Sequence, residues 1–220
     1  MRRDNSPRVR GKEQLARKKS GLRSARNRIL IVSEGTKTEP NYFKELRSDY
    51  RIASMEVKSG GGCTGPVQVV RYAKELFRKD YKKAFESVYV VFDRDDHASY
   101  EDALSQVDEL NGKLRNDENK CVSFFAVVSI PCFELWLLLH FEDVHNPVVR
   151  DDVFRRLKHH LPKYKKGSDA VYALTKVGQS DAISRAKELK EKAEQGARGD
   201  GPFTTVHELV SQLMTMGLSR

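Results

Sequence analysis

The sequence has no apolar run near the roughly 20 residues that a membrane-crossing helix needs, and no apolar segment follows its basic N-terminus to make a secretory signal. A soluble, cytoplasmic protein with no membrane partner is therefore expected. Cysteine is scarce. Cys63, Cys121 and Cys132 are an odd number at wide spacing, without a Cys-x-x-Cys or Cys/His pattern, which argues against zinc and for reduced thiols. Internal repeats are absent too. At 220 residues the chain has room for one sizeable core with decorations but hardly for two full domains.

Charge is what the chain has in plenty, and its position matters more than its size. The net +9 lies wholly within residues 1–28, where eleven Lys or Arg stand against two acids, Asp4 and Glu13; the 29 bases and 29 acids that remain cancel. With few apolar residues to order it, this segment is expected to be a disordered basic arm ahead of a domain spanning 29–220. Such an arm neutralises phosphates and strengthens binding to RNA or DNA. Arg23, Arg26 and Arg28 are its candidate contacts, and a solvated tail that aids solubility is the alternative.

After the arm, apolar runs alternate with amphipathic stretches. Strands are predicted at about 29–32, 52–58, 88–92 and 121–128, with helical patterns at about 39–48, 66–85 and 99–115 between them. This alternation predicts an α/β fold with a mostly parallel central sheet flanked by helices. Beyond residue 145 a more polar, helical part is expected, with helices at about 151–159, 180–195 and 204–216, Ser180 as an N-cap and Gly196 as a stop. Right-handed crossovers place the C-terminal ends of the parallel strands on one rim, where open α/β sheets bind ligands. Glu34, the glycine-rich loop 60–65, the pair Asp93 and Asp95, and Glu134 all follow strand ends and so should gather there.

Each of these groups has two readings. Asp93 and Asp95 are two apart, so in extended chain they point to one side while Arg94 points away. Two such carboxylates repel unless a hard cation such as Mg²⁺ or Mn²⁺ relieves them; the alternative is a solvated acidic turn. Glu34 sits in a Glu-Gly turn where Gly35 eases the backbone, and could complete a metal shell or move a proton. Glu39, beside Pro40, either offsets a helix dipole or makes a further metal contact. Glu134 interrupts an apolar stretch that reads as a buried helix from 131 to 139, so it either belongs to the site or is a structural carboxylate held by a salt bridge or by the dipole of a first helical turn. The loop 60–65 could present N–H groups to phosphate but lacks the Walker lysine, which favours a tight connector. His97, adjoining the acidic cluster, is either catalytic or a polar loop residue; Lys37, Lys165 and Lys166 are candidates for phosphate contact, with ordinary solvent exposure the alternative for Lys165 and Lys166.

Three motifs together resemble one family: residues 31–43 (IVSEGTKTEPNYF), 91–97 (VFDRDDH) and 129–141 (SIPCFELWLLLHF) are similar to the RloB-like proteins. The resemblance runs from about 28 to 215 and includes weaker matches at 164–166 and 205–210; residues 201–204 depart from the family pattern. It implies a Toprim-like site in which a glutamate after the first strand and an Asp-x-Asp after the third support Mg²⁺-dependent phosphodiester chemistry. Glu34, Asp93 and Asp95 match those positions. It further implies a nuclease of restriction or abortive-infection loci, as in AbiL-type phage defence, with an ATPase partner encoded nearby. Homo-oligomerisation is compatible with this pattern, as is a regulatory subunit that keeps the fold without turnover.

Overall fold

The computed structural model of the chain describes residues 27–63, 65–80, 84–94, 99–195 and 201–218. Residues 1–26, with Arg23 and Arg26, lie outside them, as do Asp95, His97 and Gly196. The described chain forms a five-stranded sheet in the order β2-β1-β3-β4-β5. β1 (Ile29–Ser33), β2 (Met55–Ser59), β3 (Ser87–Asp93) and β4 (Ser123–Ile130) run parallel, and β5 (Phe203–Thr204) pairs antiparallel with β4.

The two-residue period of each strand splits its side chains between two cores. Ile29, Ile31, Tyr89, Val91 and Val127 face one layer; Leu30, Val32, Val88, Val90 and Phe92 face the other. Burial on both faces explains why β1 and β3 read as unbroken apolar runs. Helices α2 (Pro66–Lys79) and α3 (Tyr100–Leu110) cover the second face through Val69, Val70, Phe77, Ala103 and Val107. The first face carries α1 (Thr38–Asp49), α4 (Glu134–Leu138), α5 (Arg150–His160), α6 (Val171–Thr175), α7 (Gln179–Gln195) and α8 (Val206–Leu218). The chain leaves β1 toward this first face and leaves β3 toward the second. The crevice between their C-terminal ends is the topological switch point of the sheet.

Several boundaries differ from the sequence expectation. The second helix ends at Lys79 rather than 85, and just beyond it the Asp80 carboxylate accepts the Ala84 amide at 3.1 Å in place of a helical bond. The third ends at Leu110 rather than 115, where Gly112 adopts φ +72 and the Asn111 side chain accepts the Phe124 amide at 3.2 Å. Ser180 is not an N-cap: α7 begins at Gln179 and continues a 3₁₀ turn at Lys176–Gly178, so no side-chain cap is required there. The apolar run at 131–139 contains only five helical residues. Finally, Phe203 and Thr204 form a strand rather than a helix start. Two residues are too few to show a period, and they pair only because β4 offers its free edge, where Ser129 and Thr204 share a 2.9 Å hydroxyl contact.

Candidate functional site

The rim at the strand ends is stitched by backbone hydrogen bonds that continue the sheet past its last residues. The Glu34 amide donates to the Val91 carbonyl (2.8 Å), the Gly60 amide to the Ser33 carbonyl (2.6 Å) and the Arg94 amide to the Ser129 carbonyl (3.0 Å). These bonds hold Glu34 and Asp93 side by side: Glu34 Oε2 accepts the Asp93 amide at 3.4 Å. Alternation then separates Asp93 from Arg94. Asp93 faces the first layer, while the Arg94 guanidinium lies over the Tyr100 ring in the second, 5.9 Å from its centroid.

A cation already attends Asp93. Arg150 Nη2 donates to Asp93 Oδ2 at 3.0 Å from the first residue of α5. The same guanidinium faces the Cys132 thiol, which burial pushes far up, with the charges of Glu134 and Asp93 adding to the shift. All three cysteines are free thiols.

Glu39 and Glu134 complete the acidic side. The carboxylate of Glu39, in the first turn of α1, packs directly on Gly35, where an added Cβ would lie 1.8 Å from Glu39 Oε2. Gly35 is not among the residues of positive φ. The sequence expectation that it eases a strained backbone is thus corrected: it is a glycine because a carboxylate needs the space. Glu134 is 2 % exposed and accepts the Tyr164 hydroxyl at 3.0 Å. No cation pairs with it among the described residues, so the buried ion-pair reading of Glu134 does not hold.

Desolvation, opposed by its own backbone hydrogen bond and by Lys166 and aided by the neighbouring Glu134 and Glu34 charges, raises the Glu39 carboxyl from the ordinary 4.5 to about 7. Between those two values the folded state binds more protons than the unfolded chain, so the Glu39 contribution to stability falls as pH rises from 4.5 through 7. The loss amounts to at most about 3 kcal/mol. Glu39→Gln should remove this slope, which urea melts of both proteins at pH 5 and pH 8 will measure. An identical pH dependence in the two would show that another group bears the cost.

A strap at 162–170 closes over the start of α1. The Gly167 amide donates to Thr38 Oγ1 at 2.9 Å, and Asn41 Nδ2 donates to Asp169 at 2.9 Å. Gly167 lies against the stem of Lys37, where a Cβ would meet Lys37 Cδ at 2.8 Å. The strap thus sets Gly167 against exposed Lys37 and brings exposed Lys166 close enough to Glu39 for its charge to act on that carboxyl, while Lys165 beside it is exposed. Arg28 is not brought there. It precedes β1 at the opposite edge of the sheet, beside Glu86, five strand residues or about 17 Å from the rim. The glycine loop is a tight connector in its described part, with Gly61 and Gly62 at φ +42 and +121 and the Cys63 amide bonded to the Gly60 carbonyl.

Among the described residues no three His, Cys, Asp or Glu groups are arranged to hold a metal ion. The donors that are present, Glu34 and Asp93 on adjacent strand ends with Glu39 nearby, are all carboxylate oxygens. They suit a hard divalent cation and not zinc.

Arg150 and Tyr164 are the site residues that sequence reasoning passed over or left in a loop. A signal for Arg150 did exist: a cation at the first position of a helix runs against the helix dipole, which Asp151 and Asp152 there satisfy.

No helix among the described residues is long and apolar enough to cross a membrane. No curated protein and no solved structure matches the chain. The family model described as RloB-like protein matches residues 29–213, a span that contains both β1 with Glu34 and β3 with Asp93, and the chain belongs to the RloB-like protein family.

Proposed function

We propose that this chain is a Mg²⁺-dependent (or Mn²⁺-dependent) nuclease that hydrolyses phosphodiesters of RNA, tRNA among them, or of DNA. In this reading it is a phage-defence effector working with an ATPase partner. The observation that carries it is the juxtaposition of Glu34 and Asp93 at the switch point of a parallel sheet, the layout of a Toprim-like site. Glu34, Asp93 and Asp95 would hold the cation, with Glu39 beside them. Bound there, it would supply Lewis-acid stabilisation of charge developing on the phosphate. The protein's own groups do the rest. Glu39, poised near neutrality, can give or take a proton at its carboxyl. Lys37, Lys165 and Lys166 offer ammonium groups to the nucleic-acid backbone, and the 1–28 arm adds a sequence-independent contribution.

A second reading has an observation of its own. Arg150 already neutralises Asp93, which suits a regulatory subunit that binds nucleotide or nucleic acid without turnover. Incubating the full chain with mixed RNA and DNA in Mg²⁺, Mn²⁺ or EDTA, with and without the neighbouring ATPase, separates the two. Cation-dependent cleavage products are expected. Cation-dependent binding without products under every condition would favour the regulatory subunit.

A further inference from the structure

Arg150 sits where local helix energetics do not favour a cation, at the first residue of α5 and followed by Asp151 and Asp152. Its guanidinium reaches past its own helix to the end of β3 and bonds Asp93 Oδ2 at 3.0 Å. The Arg150 side chain is 34 % exposed and that of Asp93 14 %, so this is a part-buried pair at the rim whose outer side reaches solvent. On its inner side the group lies near the buried Cys132 thiol. A guanidinium presents its donors as a planar fork that matches carboxylate and phosphate oxygens equally well. A hard cation on Asp93 would compete with Arg150 for the same carboxylate, and two cations at contact distance from one anion repel. A phosphodiester arriving at the rim supplies the anion that the displaced guanidinium then needs.

We propose that Arg150 is a phosphate-binding residue of this site, and that its guanidinium passes from Asp93 to a phosphate oxygen of the nucleic acid when a divalent cation takes the Asp93 carboxylate. This rests on the divalent-cation site of the nuclease reading. It goes beyond that reading by linking cation binding to substrate binding through one side chain. Asp93 is neutralised in either condition, so the site avoids both a bare carboxylate pair and an excess of positive charge.

The exchange predicts opposite effects on the two ligands. In the full chain, R150M should bind Mg²⁺ about 10-fold more tightly than wild type, because a competing cation is gone. It should bind a short single-stranded phosphorothioate RNA, which resists hydrolysis, like wild type in EDTA but at least about 10-fold more weakly in Mg²⁺, the size expected for one charge-assisted contact. R150K keeps the charge without the fork. It should retain wild-type Mg²⁺ affinity and lose only part of the Mg²⁺-dependent RNA affinity. Calorimetry with Mg²⁺ alone, fluorescence anisotropy with the RNA in each condition, and melting curves for folding provide the measurements. If wild type binds Mg²⁺ but R150M binds it no better, or loses RNA affinity equally in EDTA, the exchange is wrong while the nuclease reading stands. If wild type binds no Mg²⁺ at all, both fall together.

Discussion

On the proposed nuclease reading, Asp93→Asn should lower Mg²⁺-dependent cleavage by at least about 100-fold while the melting temperature stays within a few degrees of wild type. The activity estimate follows from position. Groups that merely orient metal ligands are worth about 10–100-fold, and a carboxylate placed to ligate directly is worth no less. Two opposing terms set the stability. Asparagine relieves repulsion between the neighbouring Glu34 and Asp93 carboxylates, which on sequence grounds alone would raise the melting temperature. It also breaks the Arg150 ion pair, but that pair is part exposed and worth about 1 kcal/mol or less, roughly 2–4 °C for a chain of this size. The terms nearly cancel. A folded Asp93→Asn protein that cleaves at the wild-type rate in Mg²⁺ would remove Asp93 from the cation site. Asp95→Asn carries the same expectation from its spacing in the sequence.

Glu134→Gln should lower cleavage by about 100-fold with no loss of stability. Were Glu134 half of a buried ion pair, the substitution would strand its partner at a cost of about 3–5 kcal/mol. Its partner is instead the neutral Tyr164 hydroxyl at 3.0 Å, and a glutamine carbonyl accepts that bond equally well. The charge lost is one that raises Glu39. With it gone, Glu39 ionises more readily in the folded state, and the penalty that Glu39 imposes above pH 7 shrinks. The variant should therefore melt at or a few degrees above wild type at pH 8 and like wild type at pH 5, where Glu39 is protonated in both. Melts at the two pH values and a cleavage assay on one preparation decide the matter. A stability loss above about 3 kcal/mol with activity kept in the folded fraction would return Glu134 to a purely structural role.

Much of the fold is legible in local pattern. Ile29 to Val32 and Val88 to Phe92 are unbroken apolar runs because their strands are buried on both faces, and the intervening helical periods dictate parallel pairing. From that alone Glu34 and Asp93 follow as rim residues. Other features had no local signature. β5 is two residues long and exists only against the edge of β4. The five-residue α6 is shorter than two helical turns, so no amphipathic period could mark it. Gly35 was visible as a glycine, but its reason, the Glu39 carboxylate seated on it, is a close contact that sequence does not carry.

The sequence by itself determined which carboxylates end strands and on which edge they gather. Side-chain alternation and the handedness of strand crossovers are properties of the L-peptide chain that hold wherever the pattern occurs. Only the tertiary structure decided what each carboxylate meets. Arg150 reaches Asp93 across 57 residues, Tyr164 reaches Glu134 across 30, and Arg28 ends on the far edge of the sheet from both. Those outcomes depend on how α5 and the strap at 162–170 pack over the first face. Packing and desolvation are set by the whole core at once, and no local period encodes them.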